Sequence, residues 1–346
     1  MMKLSKSTTI NEFVTIAQQI HGYVYCGRTA KSTIICNKHG RFCQSPECHL
    51  RMKRGCPECV CSKGQLELEQ DLREIYDGEI LFNDRNIISP FELDIVLPEV
   101  KLAIEYHGLY WHSYNRIETS QERNKHLAKL MLANANEYRL LQVYESEYQN
   151  NKQIINSIIL NILAKSKRIY ARKCKVVRLT GQQRKDFFNA NHIQGDKTAF
   201  VAFGLINGSN IVAAMSFSKH VKYDYEIARF ANSMNYSVTG GLSRLLITFC
   251  REFNPKSILT YSDRRFFDSS GYQSVGFKHV GYTAPGYRYV KGQQTFSRQA
   301  FQKHKLKHKL PIFDQSLSEA ENMFLCGYRR IWDCGNHKLV WHANDL

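Results

Sequence analysis

Two carboxylates and two imidazoles lie close together near residue 100. Asp94 lies in SPFELDIVLPEV (89–100), Glu105 and His107 lie in KLAIEYHG (101–108), and His112 follows in GLYWHS. Carboxylate oxygens are the ligands that Mg²⁺ prefers, and Mg²⁺ commonly binds substrate phosphate as well. An imidazole beside it can deprotonate water or protonate a leaving oxygen. This set of residue types predicts metal-assisted hydrolysis of a phosphate ester.

Two predicted strands position these groups. Both segments alternate between apolar and polar residues, as half-buried strands do. The apolar faces carry Phe91, Leu93, Ile95 and Leu97 in the first strand, and Leu102, Ile104 and Tyr106 in the second. Asp94, Glu105 and His107 lie on the opposite faces, so adjacent strands would bring them into one polar patch. The alternative is an ordinary amphipathic hairpin with a solvated acidic face.

Helices are predicted on both sides of this hairpin. SKGQLELEQDLREIYDG (62–78) places Leu68, Leu72 and Ile75 on one helical face. In ERNKHLAKL, Lys129 follows His126 at i+3, so the two share a face of a second helix. The strand YRLLQVYESE (138–147) then completes a βαβ-like unit.

LDIVLP followed by LAIEYHGLYWH resembles the very-short-patch-repair branch of the PD-(D/E)XK nuclease superfamily, and also the related homing endonucleases with an E-D-x-H-D set. The resemblance implies a DNA endonuclease in which Asp94 and Glu105 hold Mg²⁺ and His107 and His112 act as acid or base. The chain departs from the family pattern at two positions. Gln65 stands near the family's helix glutamate, so Glu67 or Glu69 would have to serve, and His126 stands near its final aspartate.

Cysteine is concentrated at the N-terminus, where seven of the 11 residues fall between positions 26 and 61. An odd total without a secretory signal argues against a disulfide framework. Cys36 and His39 form one short-spaced pair, and Cys56 and Cys59 form another about 20 residues later. Such pairs predict a structural zinc ion with four protein ligands. His49 or Cys48 could replace His39, and reduced cysteines that bind no metal are the alternative.

The segment around these residues resembles the small treble-clef-like zinc module that precedes nuclease domains in phage-borne endonucleases. The resemblance rests on Cys36-x2-His39-Gly40, on His49-Leu50 and on Gly55-Cys56-Pro57-x-Cys59. It covers about residues 10–62 and implies that this module accompanies the nuclease domain.

The C-terminal half shows a different order of elements. A strand and a helix are followed by a hairpin with an Asn-Gly turn at 207–208, a further strand, SVTGGLSRLLITFCREF and SILTYSD. This order resembles the GNAT acyltransferase fold, with VTGGLSRLL where its pyrophosphate loop would lie. Gly240-Gly241 lacks the family's usual glycine spacing, and we expect a GNAT-like scaffold reused for DNA contact.

A basic run near the C-terminus supplies candidate DNA-binding residues. It contains Arg298, Lys303, Lys305, Lys307 and Lys309, interleaved with His304 and His308. A basic run is often only a solvated surface, but this one lies in a region rich in Tyr and Phe. Phosphate contact is the functional interpretation.

Charge divides the chain into the same parts. The 346 residues carry a net charge of +17, distributed as +6 over residues 1–62, −6 over 64–166 and +16 over 167–346. No run of 18 apolar residues occurs and no secretory signal is recognisable. We therefore expect a cytoplasmic, nucleoid-associated protein in a bacterial host cell, with double-stranded DNA as its partner and no membrane association.

The sequence thus predicts an α+β multidomain chain. Residues 1–62 form the zinc module, 63–149 a PD-(D/E)XK-like α/β nuclease core, 150–172 a helical linker, and 173–346 the basic GNAT-like domain. The predicted function is a Mg²⁺-dependent phage homing endonuclease, acting as a monomer or homodimer. The alternatives are a GNAT-type acyltransferase targeted to nucleic acid and a non-enzymatic zinc-containing DNA-binding protein.

Overall fold

The computed structural model describes residues 63–108, 120–292 and 294–343 and, nearer the N-terminus, residues 15, 18–19, 24–25, 32–36 and 40–44. The chain divides into two compact units, Met1–Glu74 and Ile75–Leu346. The fold is mixed α+β. No helix in the described ranges is long and apolar enough to cross a bilayer.

The first unit contains a small antiparallel sheet and a helix. Its strands are β1 (Val24–Tyr25), β2 (Ser32–Cys36) and β3 (Gly40–Gln44), paired in that order. Helix α1 (Lys63–Ile75) buries Leu68 and Leu72 completely, four residues apart on one face. The helix predicted over 62–78 is therefore confirmed, with Ile75 its last residue.

The second unit begins with a four-stranded sheet. Its strands, paired in chain order, are β4 (Leu81–Asp84), β5 (Leu93–Leu97), β6 (Leu102–His107) and β7 (Arg139–Tyr144). Strands β5 and β6 are antiparallel, whereas β6 and β7 are parallel and are joined through helix α2 (Ser120–Ala135). This arrangement confirms the predicted βαβ unit. Every residue of β6 is buried, so this central strand is covered on both faces.

Helix α3 (Glu145–Ile162) follows β7 without a loop. The strand predicted over 138–147 was too long, because Glu145, Ser146 and Glu147 form the first helical turn. Carboxylates in a first turn complement the helix dipole, and Glu147 Oε2 accepts a hydrogen bond from the backbone N–H of Tyr144. These local interactions outweigh the alternating pattern that suggested a longer strand.

The largest sheet has seven strands: β9 (Lys175–Arg178), β10 (Val201–Asn207), β11 (Asn210–Lys219), β12 (Tyr225–Asn232), β14 (Ser257–Asp263), β15 (Lys278–Tyr282) and β19 (Asn336–His342). They pair in the order β15-β19-β14-β12-β11-β10-β9. All neighbours are antiparallel except β12 and β14. Helices α4 (Gly181–Asn191) and α5 (Gly241–Phe253) accompany it.

Local sequence signals explain parts of this sheet. The predicted hairpin is confirmed, with its turn one residue later than predicted. Asn207 pairs with Asn210 across Gly208 and Ser209, and the φ of +63° at Gly208 suits glycine. The core between the sheet and α5 is aromatic, and the rings of Phe217 and Phe249 stack with centroids 3.6 Å apart.

Two small sheets complete the second unit. Strands β8 (Lys167–Tyr170) and β13 (Tyr236–Thr239) pair in parallel. Strands β16 (Tyr287–Lys291), β17 (Gln294–Ser297) and β18 (Arg329–Trp332) pair in the order β17-β16-β18. Short helices α6 (Ser270–Gln273), α7 (Lys303–Leu306) and α8 (Glu319–Leu325) connect the remaining segments. Tyr289, Leu306 and Met323 belong to the apolar cluster that holds the basic C-terminal region in place.

Candidate active site

Asp94 and Glu105 lie where β5 and β6 stop pairing. The antiparallel register runs from Leu97 opposite Leu102 to Ile95 opposite Ile104. One residue further, the carboxylates take over the hydrogen bonding: the backbone N–H of Tyr106 donates to Asp94 Oδ2 (2.8 Å), and that of Asp94 donates to Glu105 Oε1 (3.3 Å). Each side chain thus satisfies a backbone donor of the opposite strand. This exchange places both carboxylates at one point between two strand ends.

Helix α2 supplies a cation to this pair. Lys129 Nζ lies 2.6 Å from Glu105 Oε2 and donates to the backbone carbonyl of Glu92 (2.8 Å). Both side chains are nearly excluded from solvent, with exposed fractions of 11% for Lys129 and 3% for Glu105. An ion pair buried to this degree is weak evidence for stability, since desolvating the charges offsets most of their attraction.

Burial and like charge alter the acidity of both carboxyl groups. Desolvation and the neighbouring Asp94 raise the pKa of Glu105 to about 8, although Lys129 opposes the shift. Desolvation also raises the pKa of Asp94, against the hydrogen bond from Tyr106 and the charge of Lys129. The site therefore carries carboxyl groups that hold protons more tightly than exposed ones. A cation arriving between them would relieve their repulsion.

Two imidazoles stack beside the carboxylates. The rings of His107 and His126 lie 3.9 Å apart between centroids, at 17°. Gln142 Nε2 donates to the backbone carbonyl of His126 (2.8 Å), which turns its Oε1 toward His107 Nε2 (3.1 Å). His126 Nδ1 lies 2.6 Å from the carbonyl oxygen of Trp332. Since both oxygens only accept, His107 carries its proton on Nε2 and His126 on Nδ1 in their neutral forms.

The structure brings together most of the predicted site. Asp94 contacts Glu105, His107 stacks on His126, and Lys129, three residues after His126 on α2, pairs with Glu105. His112 lies outside the described residues. Glu67 is exposed on α1, which belongs to the other compact unit. Among the described residues, there is no group of three or more His, Cys, Asp or Glu side chains arranged to hold a metal ion.

Sequence reasoning missed the groups that hold the imidazoles. Gln142 is completely buried between Leu141 and Val143 in the strand RLLQVY, and a lone amide between apolar residues was a readable signal. The contact from Trp332 uses a backbone carbonyl 206 residues from His126, so no side-chain pattern could have revealed it. The backbone carbonyl of Arg265 likewise accepts from the N–H of Gln142 at 3.2 Å. The C-terminal region thus contributes directly to the candidate site.

The predicted DNA-binding residues lie around two short helical turns. Arg298 begins the 3₁₀ turn Arg298–Phe301, Lys303 and Lys305 belong to α7, and Lys307 and Lys309 follow it. Lys305 Nζ donates to the carbonyl of Gln299, whereas Lys309 Nζ donates to that of Ala300. Both ammonium groups fold back onto this segment. The structure gives no contact with DNA, so their role stays a prediction.

The zinc prediction falls largely outside the described residues. Cys36 ends strand β2, whereas His39, His49, Cys56 and Cys59 lie beyond the described ranges. The ligand set therefore stays a prediction.

Comparisons with known proteins give a family match for the N-terminal segment. Residues 2–60 match the model of a family described as a protein of unknown function (DUF723). That match covers the segment of the predicted zinc module and says nothing of its activity. No curated protein matches the chain.

Solved structures of two kinds are similar to parts of the chain. A GNAT family acetyltransferase from Elizabethkingia anophelis with acetyl-CoA bound is 12% identical, with 49% of this chain and 98% of that one covered and a TM-score of 0.28. The ribosomal-protein-S18-alanine N-acetyltransferase from Escherichia coli is 10% identical, over 49% and 93%, with a TM-score of 0.29. The catalytic domain of homing endonuclease I-Bth0305I is 18% identical, over 30% and 96%, with a TM-score of 0.24. At these scores the likenesses carry no functional weight.

Proposed function

We propose that the protein is a Mg²⁺-dependent DNA endonuclease of the phage homing type, with its active centre at Asp94 and Glu105. The observation that carries the proposal is the closeness of two carboxyl groups at the end of a strand pair, with Glu105 buried and Asp94 partly buried. Burial of like charges is costly, and perturbed titratable groups gather at functional sites. The resemblance of LDIVLP and LAIEYHGLYWH to homing endonucleases supports the same conclusion.

The donor set fits a magnesium ion. Mg²⁺ is commonly held by one or two carboxylates and completes its shell with water and substrate phosphate. Within the described residues, Asp94 Oδ1 accepts no hydrogen bond, while Oδ2 is occupied by Tyr106. Asp94 is also only partly buried. When bound, the ion would stabilise charge at phosphorus and acidify a water molecule.

The surrounding side chains have separate roles in this proposal. Lys129 keeps part of Glu105 ionised and places a positive charge beside the reacting phosphate. His107 and His126 are the candidate groups for accepting the proton of the attacking water. His112 and Glu67 remain candidates from the family pattern, as acid or base and as the helix carboxylate.

Plasmid cleavage tests the proposal. Supercoiled plasmid is incubated with Mg²⁺ and with wild-type protein, Asp94→Asn or Glu92→Gln, and the ends are mapped. Asp94→Asn keeps an oxygen that can accept from Tyr106, so we expect it to fold and to lose cleavage by about 10³-fold or more. Glu92 is two residues away and pairs with Arg85, so Glu92→Gln is the matched control and should cleave normally. Equal cleavage by Asp94→Asn and wild type would overturn the proposal.

We further propose that the N-terminal segment binds one structural zinc ion through Cys36, His39, Cys56 and Cys59, with His49 as the alternate ligand. The ligands are of the types and spacing that tetrahedral zinc prefers. Elemental analysis should find one zinc per chain in the wild type and a loss in Cys56→Ser. Zinc content unaffected by that substitution would exclude this ligand set.

An acyltransferase is the second candidate, favoured by the order of elements around Gly240 and Gly241. The predicted strand–glycine–helix order is confirmed, with Gly240 left-handed (φ +77°) before α5. However, β13 is paired along its length with β8, and Ala171 lies 3.8 Å from the position of a Cβ on Gly240. The chain's own segment thus covers this strand and adjoins the glycines. Calorimetry with acetyl-CoA should show no binding, and submicromolar affinity lost on substitution of Gly240 would favour the acyltransferase.

A further inference from the structure

Alternating arginine and aromatic side chains connect α2 with the small C-terminal sheet. Tyr287 and Trp332 face each other across β16 and β18, with ring centroids 4.7 Å apart. The guanidinium of Arg330 lies 5.0 Å from the first ring and 5.2 Å from the second. Arg298 lies 5.0 Å from Tyr287, and Arg123 lies 4.6 Å from Trp332. We call these five side chains the arginine ladder.

The arginine ladder adjoins the candidate active site. Arg123, His126 and Lys129 follow one another at i+3 spacing on α2, so each neighbours the next on the helix surface. From Arg123 to Lys129 the helix rises about 9 Å. Trp332, which contacts Arg123 with its ring, also binds His126 through its carbonyl oxygen. A polyanion lying on the ladder would therefore be close to the carboxylate pair.

The ladder lies in a region with an excess of positive charge. Between residues 287 and 342 the chain carries ten Lys and Arg against four Asp and Glu. Arg123 is exposed and forms no ion pair with any described residue, and Glu319 lies 3.6 Å from Arg298, whose side chain is 59% exposed. A polyanion is attracted to such an excess of positive charge. The aromatic rings hold each planar guanidinium group in a fixed orientation, which suits bidentate contact with phosphate.

We propose that Arg123, Arg330 and Arg298 bind neighbouring phosphates of the DNA strand that enters the carboxylate centre. This inference rests on the proposed nuclease function and extends it from the centre to the path of the substrate. The contacts are to the backbone and carry no sequence information. Recognition of a particular target would need other residues.

The test measures binding separately from cleavage. Fluorescence anisotropy of a labelled duplex DNA is recorded in the Asp94→Asn background, from about 50 to 200 mM salt. Each of Arg123→Ala, Arg330→Ala and Arg298→Ala should weaken binding about threefold to tenfold and lower the salt slope by about one. The triple variant should lower the slope by about three. Arg251→Ala, an exposed arginine in the last turn of α5, is the matched control and should leave the slope unchanged.

Thermal melting of every variant excludes loss of fold as the cause. Unchanged DNA affinity and salt slope in the three ladder variants would overturn the proposed phosphate contacts, whatever the cleavage assay shows. Failure of the nuclease proposal looks different: wild-type protein would leave plasmid intact while the ladder variants still lost DNA affinity. Absence of any salt-dependent DNA binding by the Asp94→Asn parent protein would also overturn the proposed phosphate contacts.

Discussion

The four-stranded and seven-stranded sheets of the second unit bury very different material. The four-stranded sheet and α2 enclose five buried polar residues: Glu105, His107, His126, Lys129 and Gln142. Against the seven-stranded sheet, the corresponding core is hydrocarbon and aromatic, with Phe217 and Phe249 at its centre. Its buried polar groups are hydroxyls such as Ser216 and Thr260. Apolar burial stabilises a fold, whereas buried charged groups must be paired, as Glu105 is with Lys129.

This difference suggests distinct roles for the two sheets. In the proposed function the smaller one would hold the chemistry, and the larger one would stabilise and position it. Contacts between them support this division: Arg139 donates to the carbonyl of Phe266 (2.6 Å), and Tyr144 Oη donates to that of Trp332 (2.9 Å). Both contacts anchor β7, the strand that carries Gln142. Substitutions in the two sheets should consequently fail in different ways.

The largest expected effect is on stability, in the seven-stranded sheet. Phe249→Ala removes a completely buried ring stacked on Phe217 and should lower the free energy of unfolding by about 3–5 kcal/mol. Urea denaturation followed by circular dichroism measures this loss. Cleavage per folded molecule should be retained where the variant is still folded. A loss below about 1 kcal/mol would show that this core does not support the unit as its packing indicates.

The next effect is on catalysis, in the four-stranded sheet. Lys129→Met keeps the side-chain stem but removes the cation that lowers the pKa of Glu105. That pKa should then rise above about 8, so cleavage should fall about 100-fold near neutrality and recover partly at higher pH. The pH profile of the cleavage rate is the measurement. Lys185→Met, on the exposed surface of α4, is the control. An equal loss at every pH would mean that Lys129 does not act through Glu105.

Much of this contrast was predictable from short-range patterns. Alternation in LDIVLP and LAIEYH gave both strands and placed Asp94, Glu105 and His107 together, because side chains two apart share a face. The Asn-Gly turn and the helix at Gly241 were equally local. The sheet β17-β16-β18 and the link from His126 to Trp332 were not predictable, since they depend on pairings between distant segments. The β7 boundary failed because helix capping at Glu147 competed with strand alternation.

The smallest effect, on pH-dependent stability, separates the two sheets most sharply. A carboxyl group whose folded-state pKa is raised stabilises the fold below its unfolded pKa and loses that contribution as pH rises through the folded value. For Glu105 this contribution is lost between pH 4.5 and about pH 8, and the raised pKa of Asp94 acts in the same direction.

Asp94→Asn removes the charge of Asp94 and lessens the desolvation and the repulsion at Glu105. The variant should therefore equal the wild type near pH 4.5 and exceed it by about 1 kcal/mol or more at pH 8. Thermal unfolding at both pH values, without divalent ions, measures this difference, and Mg²⁺ should stabilise only the wild type. A variant that loses both cleavage and stability at pH 8 would instead identify Asp94 as a structural residue, and the contrast between the two sheets would fail at its central residue.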